Sequence, residues 1–196
     1  MKKVLLIAAV AVFGLTSANA QDENKTGSFA KGDIYASGTV GFNSFKQGDA
    51  KSNDFTFSPA VGYFISENIA LELNLLVGTG EDTAETKTSM FGGGLGATYF
   101  FTPSNEFSFT LGAGVSYATA KVEPNGGTES KVNAFGFAVA PGLNYFVSNC
   151  IALRASIGAL SYTSAKADFD GAEAANNIAF NLDLSDINFG ITYKFN

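Results

Sequence analysis

From Gly32 onward, apolar and small polar residues alternate with period two, the repeat of a β-strand with two different faces. Eight stretches carry the pattern. DIYASGTVGF places Ile34, Val40 and Phe42 on one face, and FTFSPAVGYF places Phe55, Phe57, Pro59, Val61 and Tyr63 there. IALELNLLV, MFGGGLGATY, FSFTLGAGVSY and FGFAVAPGLNY continue it with Leu71, Leu73, Phe91, Leu95, Phe109, Val115, Phe137 and Tyr145. IALRASIGA gives Ile151, Leu153, Ala155, Ile157 and Ala159, and INFGITYKF gives Ile187, Phe189, Ile191, Tyr193 and Phe195. Each stretch is about as long as a tilted strand that crosses a bilayer. Ile178, Phe180, Leu182 and Leu184 share one parity and Ile187 to Phe195 the other, which predicts a bulge near Ser185 and Asp186 in the last strand. Pro59 and Pro141 fall mid-strand, where proline has no donor for the ladder, and their matched positions suggest a shared local bulge.

The linkers alternate in length. ISEN, FTPSNE and FVSNC are short, whereas 44–54, 79–89, 119–132 and 162–178 are longer and hold most of the charge. The two strand faces then settle the environment. One face is Phe, Leu, Val, Ile, Tyr, Ala, Gly and Pro, without charge. The other is mostly small: Thr56, Ser58, Ala60 and Gly62, then Gly92, Gly94, Gly96 and Thr98, then Gly136, Ala138, Ala140, Gly142 and Asn144. A soluble β-sandwich would cover its outer face with Lys, Glu, Arg or Gln. A face this small and uncharged suits the inside of a narrow barrel, and the large apolar face then meets lipid. The expected fold is all-β: an eight-stranded, antiparallel, up-and-down transmembrane β-barrel. Closure leaves no unpaired sheet edge in hydrocarbon.

Aromatic spacing supports this. Tyr63, Tyr99, Tyr145 and Tyr193 end four strands on the outer face, and Phe55, Phe91 and Phe137 lie eight residues earlier on three of them. Eight steps rise about 20 Å on a strand tilted by roughly 40°, close to the height of an apolar band flanked by two aromatic girdles.

Residues 1–20 have two lysines, an apolar run and the small-x-small end Ala18-Asn19-Ala20, which predicts a signal peptide cut before Gln21. Residues 21–31 read as a short flexible periplasmic tail and 32–196 as the barrel. Without Lys2 and Lys3, ten basic residues face eighteen acidic ones, a net charge of −8. Such a chain is a poor nucleic-acid ligand. It has no His, which removes the commonest general base, and a single Cys, which forbids an internal disulfide. No catalytic residue, metal site or cofactor is expected.

Two charges stand on the inner face. Glu72 and Arg154, the only Arg, each lie nine residues past a Tyr, within the related phrases SPAVGYFISENIALE and APGLNYFVSNCIALR. Their strands are four apart in a ring of eight, which places them across the lumen from each other and predicts an ion pair there; separate hydration of the two charges is the alternative. Lys194 has the same parity nearer the rim. GGGLGA, 92–97, imitates a dinucleotide string, but no helix follows it. DFDG, 168–171, lacks the other ligands of a calcium loop and reads as a turn. Cys150 reads as a lone thiol in a turn.

Together these features resemble the small bacterial outer-membrane barrels of the OmpA and OmpX type, along the whole chain. The resemblance implies periplasmic termini and short turns, extracellular long loops and an interior ion pair that plugs the lumen. The ending FGITYKFN resembles the aromatic-ended last strand recognised by the barrel assembly machinery, through Tyr193 and Phe195, although Asn196 follows. No peptidoglycan-binding domain is present in the chain, and its girdles would be Phe and Tyr, without Trp. The implied partners are outer-membrane lipids, the assembly machinery and an extracellular ligand at the long loops, with the barrel a monomer. The functional expectation is a non-enzymatic envelope-structural or surface-interaction protein. A narrow porin-like channel for ions or small solutes is the alternative, and a soluble secreted ligand-binding barrel is a third reading.

Overall fold

A computed structural model describes residues 27–47, 50–181 and 187–195. All its regular structure is β. The strands are β1 (Ile34–Gln47), β2 (Ala50–Phe64), β3 (Ile69–Asp82), β4 (Lys87–Phe100), β5 (Phe107–Glu123), β6 (Ser130–Phe146), β7 (Ile151–Ile157), β8 (Ala159–Ala167), β9 (Ala174–Asn181) and β10 (Ile187–Phe195). Each pairs antiparallel with its chain neighbours from β1 to β6, and β6 pairs with β7 and then β8. β7 and β8 are two halves of one wall strand, β9 and β10 of the next, so the ten segments form eight wall strands. β1 closes the ring on β10, from Ile34 opposite Phe195 to Thr39 opposite Gly190.

The outside is apolar and the inside small, an inversion of a soluble core. Phe42, Leu95, Phe109 and Ile191 are each at least 60% exposed. A continuous belt of such residues does not survive in water and identifies a lipid-facing wall.

The strands are longer than the alternation alone suggests. β5 and β6 have 17 residues each, where about 9–11 cross the hydrocarbon. The polar stretches read as loops are therefore mostly strand. Only 48–49, 83–86, 124–129 and 168–173 lie between the paired segments at that end of the barrel. Beyond the bilayer a hairpin keeps its backbone hydrogen bonds, so Lys, Thr and Ser continue the ladder where periodicity in apolar residues has already stopped.

The prolines divide. At Pro141, two β6 residues, Ala140 and Pro141, lie opposite three, Ile157, Gly158 and Ala159, because Gly142 pairs with Ser156 but Val139 with Leu160. This is a bulge, and Gly158 takes its left-handed backbone, φ 64°. It also flips the parity of the strand. Ala159 leaves the outer face on which the alternation placed it, and Leu160 takes over. At Pro59 there is no bulge: the ladder to β3 skips Ser58 and Pro59 and keeps its register from Phe57–Val77 to Ala60–Asn74. In the last wall strand, the outward parity does change between Phe180 and Phe189. The bulge expected at Ser185 and Asp186 lies outside the described residues, as does the signal peptide.

Candidate functional site

Large side chains meet inside the barrel at two successive levels near the short-turn end. The upper level is a side-chain triad. Arg154 on β7 reaches across to Glu72 on β3, with Nη1 donating to Oε1 at 2.5 Å. The Tyr35 hydroxyl of β1 donates to the same oxygen. The guanidinium lies 5.6 Å from the centre of the Tyr35 ring and 5.7 Å from that of Phe100, within cation–π range. The site is enclosed by its own wall, so neither charge could stand there alone without a desolvation cost of several kcal/mol.

Space for these large groups comes from small neighbours. Glu72 lies between Gly62 on β2 and Gly96 on β4, and Arg154 between Asn144 and Gly190. Tyr35 is directly opposite Gly62. A Cβ on Gly62 would sit 2.0–2.5 Å from three atoms of the Tyr35 ring, so any other residue at 62 displaces the tyrosine.

The lower level is an aromatic cork. Phe64, Phe100 and Phe146 end β2, β4 and β6 and point inward, almost fully buried. Phe29 packs among them, its ring centre 4.6 Å from Phe64, 5.4 Å from Phe100, 4.8 Å from Phe146 and 5.3 Å from Tyr35. The segment 27–33 thus crosses the mouth of the barrel and does not trail from it. It is tied by Phe29 N–H to Pro103 O at 2.7 Å and Gly32 N–H to Phe64 O at 2.9 Å. Lys194 completes the attachment, with Nζ 2.9 Å from Asp33 Oδ2 and donating to Ser28 O at 2.7 Å. The described part of the segment read as a flexible tail, 27–31, is therefore held in place.

The structure brings Glu72 and Arg154 together and adds Tyr35 of β1, which alternates with the outward Ile34 and so faces inward. Tyr63, Tyr99 and Tyr145 face outward and exposed at the ends of their strands, and Tyr193 is half-exposed. Each of the first three is followed by one of the buried Phe residues. The repeated Tyr-Phe dipeptide is thus a girdle residue and a cork residue in succession, and Tyr193-Lys194 replaces the Phe with a cation. Sequence reasoning missed Phe29 and the inward Phe residues because it followed the mid-strand faces only. Tyr193 and Phe195 form an edge-on ring pair with centres 5.3 Å apart. Phe195 is also the last described residue to pair with β1.

The decoys resolve in structural terms. GGGLGA lies within β4, and a Cβ at Gly94 would sit 2.6 Å from Val115 O of β5. DFDG turns between β8 and β9, with Ala172 N–H donating to Phe169 O and Gly171 at φ 82°. Among the described residues, no group of three or more His, Cys, Asp or Glu could hold a metal ion.

An all-antiparallel ring with a lipid-compatible exterior and a side-chain-filled interior defines a transmembrane β-barrel of the outer-membrane kind. The comparisons agree. Residues 8–195 match the family model for the outer membrane protein beta-barrel domain, and the chain belongs to that family. It is an outer-membrane protein. Among solved structures, the outer membrane protein OprG from Pseudomonas aeruginosa has a similar fold, with a TM-score of 0.56 and 16% identity over 88% of this chain and 99% of that one. Neisserial surface protein A gives a TM-score of 0.53 at 18% identity, over 83% and 97%. The N-terminal β-barrel domain of Pseudomonas aeruginosa OprF gives 0.52 at 15% identity, over 85% and 100%. No curated protein sequence matches the chain.

Proposed function

We propose that this protein acts through its wall and its outer end, as a non-enzymatic envelope-structural or surface-interaction barrel whose lumen is normally shut. The observation that carries this reading is the double closure: the Tyr35–Glu72–Arg154 triad and, below it, the cork of Phe29, Phe64, Phe100 and Phe146. Either level alone obstructs a lumen this narrow. The termini and short turns face the periplasm and the four long hairpins face outward, the arrangement in which outer-membrane barrels place short turns and long extensions. The hairpins are then the surface offered to an extracellular ligand. Tyr193 and Phe195 present the last strand to the assembly machinery, and the barrel works as a monomer surrounded by lipid.

A narrow channel is the second reading, favoured by the small lining of the outer half, such as Thr56, Ser58, Gly94, Ser116 and Ala138. Planar-bilayer recording separates the two. The wild type should show no sustained conductance. Glu72→Ala with Arg154→Ala, which empties the upper level, and Phe29→Ala, which loosens the cork, should each stay mostly closed, because the other level remains, and the combined variant should open. Steady wild-type conductance would establish the channel. Orientation has its own test in intact cells. Asn125→Cys in a Cys150→Ser background should react with a membrane-impermeant maleimide, while wild-type Cys150, in the turn after β6, should not. The reverse labelling would invert the barrel.

A further inference from the structure

The ring of wall strands has one joint that no turn of chain bridges. Every other pair of neighbouring wall strands is consecutive in the sequence and connected at one end, whereas β1 and β10 stand at opposite ends of the chain. They meet through their ladder, from Ile34 opposite Phe195 to Thr39 opposite Gly190. A parted hairpin stays tethered and re-forms readily, because closing a short loop costs little entropy. The β1–β10 joint lacks that tether, so the ring is expected to open there first.

The segment that crosses the barrel mouth starts at this joint and holds both of its sides. Just before β1 the chain turns at Ala30–Asp33, with Gly32 at φ 93°. Asp33 N–H donates to Ala30 O at 3.1 Å and Ala30 N–H to Asp33 Oδ2 at 2.8 Å. On the β1 side, Phe64 N–H of β2 donates to Asp33 O at 3.0 Å and Gly32 N–H donates to Phe64 O. On the β10 side, the Lys194 ammonium grips the segment at two points, the Asp33 carboxylate and Ser28 O. The segment then reaches the far wall. Phe29 N–H donates to Pro103 O in the turn between β4 and β5, and the Phe29 ring packs on Phe100 and Phe146. A Cβ at Gly27 would overlap the Phe146 ring, so the strap also lies close against the end of β6.

We propose that residues 27–33 are a latch on the β1–β10 joint, so that closing the ring and seating the cork are one event. β10 cannot leave β1 without pulling Lys194 off Asp33 and Ser28 O, or else drawing the strap, and Phe29 with it, from among rings on β2, β4 and β6. Conversely, Lys194 is in reach of Asp33 only when β10 lies against β1, where Lys194 stands directly opposite Tyr35. The strap therefore seats last and commits the final strand to the first.

Amide hydrogen exchange of the full barrel in phosphatidylcholine nanodiscs, read residue by residue by NMR, tests the latch together with folding and unfolding rates. Phe29→Ala should speed exchange of the ladder amides in Ile34–Thr39 and Gly190–Phe195 about a hundredfold, the effect of deleting a buried Phe side chain. The ladder between β3 and β4, well away from the joint, should change by less than about threefold, because local opening leaves the rest of the wall paired. Asp33→Asn leaves the aromatic packing in place and weakens the grip on Lys194, so it should speed exchange at the joint by about tenfold. Both variants should speed unfolding by similar factors and leave the folding rate unchanged, since the latch forms after the ring. Phe29→Leu, which keeps most of the bulk, supplies the same comparison should Phe29→Ala fail to fold. Exchange that rises equally on every strand, folding that slows as much as unfolding quickens, or joint amides that exchange as in wild type would each overturn the proposal.

Discussion

Replacing Arg154 by Met removes one member of an enclosed ion pair and leaves the Glu72 carboxylate with Tyr35 beside it. Stranding a buried charge in this way costs about 3–5 kcal/mol. The loss of the guanidinium over Tyr35 and Phe100 adds about 1 kcal/mol. Both charged side chains retain 20% of their surface, so water in the lumen relieves part of this, and the lower end, about 3 kcal/mol, is expected. Glu72→Gln keeps the shape and a hydrogen-bond acceptor for Tyr35 but strands the guanidinium, with a cost of about 2 kcal/mol. The double variant, neutral on both sides, should be less destabilised than the sum of the singles by about 2 kcal/mol. The assay is urea titration in lipid vesicles, with the folded fraction read from heat-modifiable gel mobility. If the single effects add to within about 0.5 kcal/mol, the two charges are separately hydrated and the pair is no structural unit.

Gly62→Ala should destabilise by about 1–3 kcal/mol in the same titration, since its Cβ meets the Tyr35 ring, and Tyr35→Leu should rescue it. Phe29→Ala should cost about 3 kcal/mol, and limited proteolysis should then cut within 27–33 faster than in wild type. Leu95→Lys, on the lipid face near mid-membrane, should lower stability by about 2–4 kcal/mol, whereas Lys at the outer-end position of Ser89 should cost under about 1 kcal/mol.

The membrane-spanning part of this fold was legible because one physical rule governs it. Every residue in hydrocarbon must be apolar on one side and small on the other, and the segments from Phe55 to Tyr63 or from Phe107 to Tyr117 write that rule out in full. The Glu72–Arg154 contact could be anticipated because charge is so rare on the inner face that position and parity leave few partners. Three features escaped for different reasons. The outer hairpins carry no alternation in hydrophobicity, because both faces meet water there, so strand and loop look alike in sequence. That the extra residue of the bulge at Pro141 lies on the facing strand, at Gly158, depends on register between strands, which a single chain does not display. The position of Phe29 depends on a segment folding back across the barrel mouth, a contact with no period at all.

The Tyr-Phe repeat shows how the barrel is closed at so little cost in sequence. Where a strand leaves the hydrocarbon, successive side chains still point to opposite faces. The outward residue meets the membrane interface, which favours an amphipathic ring, and the inward residue faces the end of the lumen, where the small lining stops. Placing Phe64, Phe100 and Phe146 there narrows the mouth without altering any residue that touches lipid. At the fourth repeat Lys194 takes the place of Phe, and this departure fits the cork as a whole: a fourth ring would compete with Phe29, whereas an ammonium ties the incoming segment through Asp33 and Ser28 O. Lys194→Phe should therefore fold as a barrel yet expel Phe29. Limited proteolysis within 27–33 no faster than in wild type in that variant would show that the aromatic packing, and not the lysine, holds the segment in place.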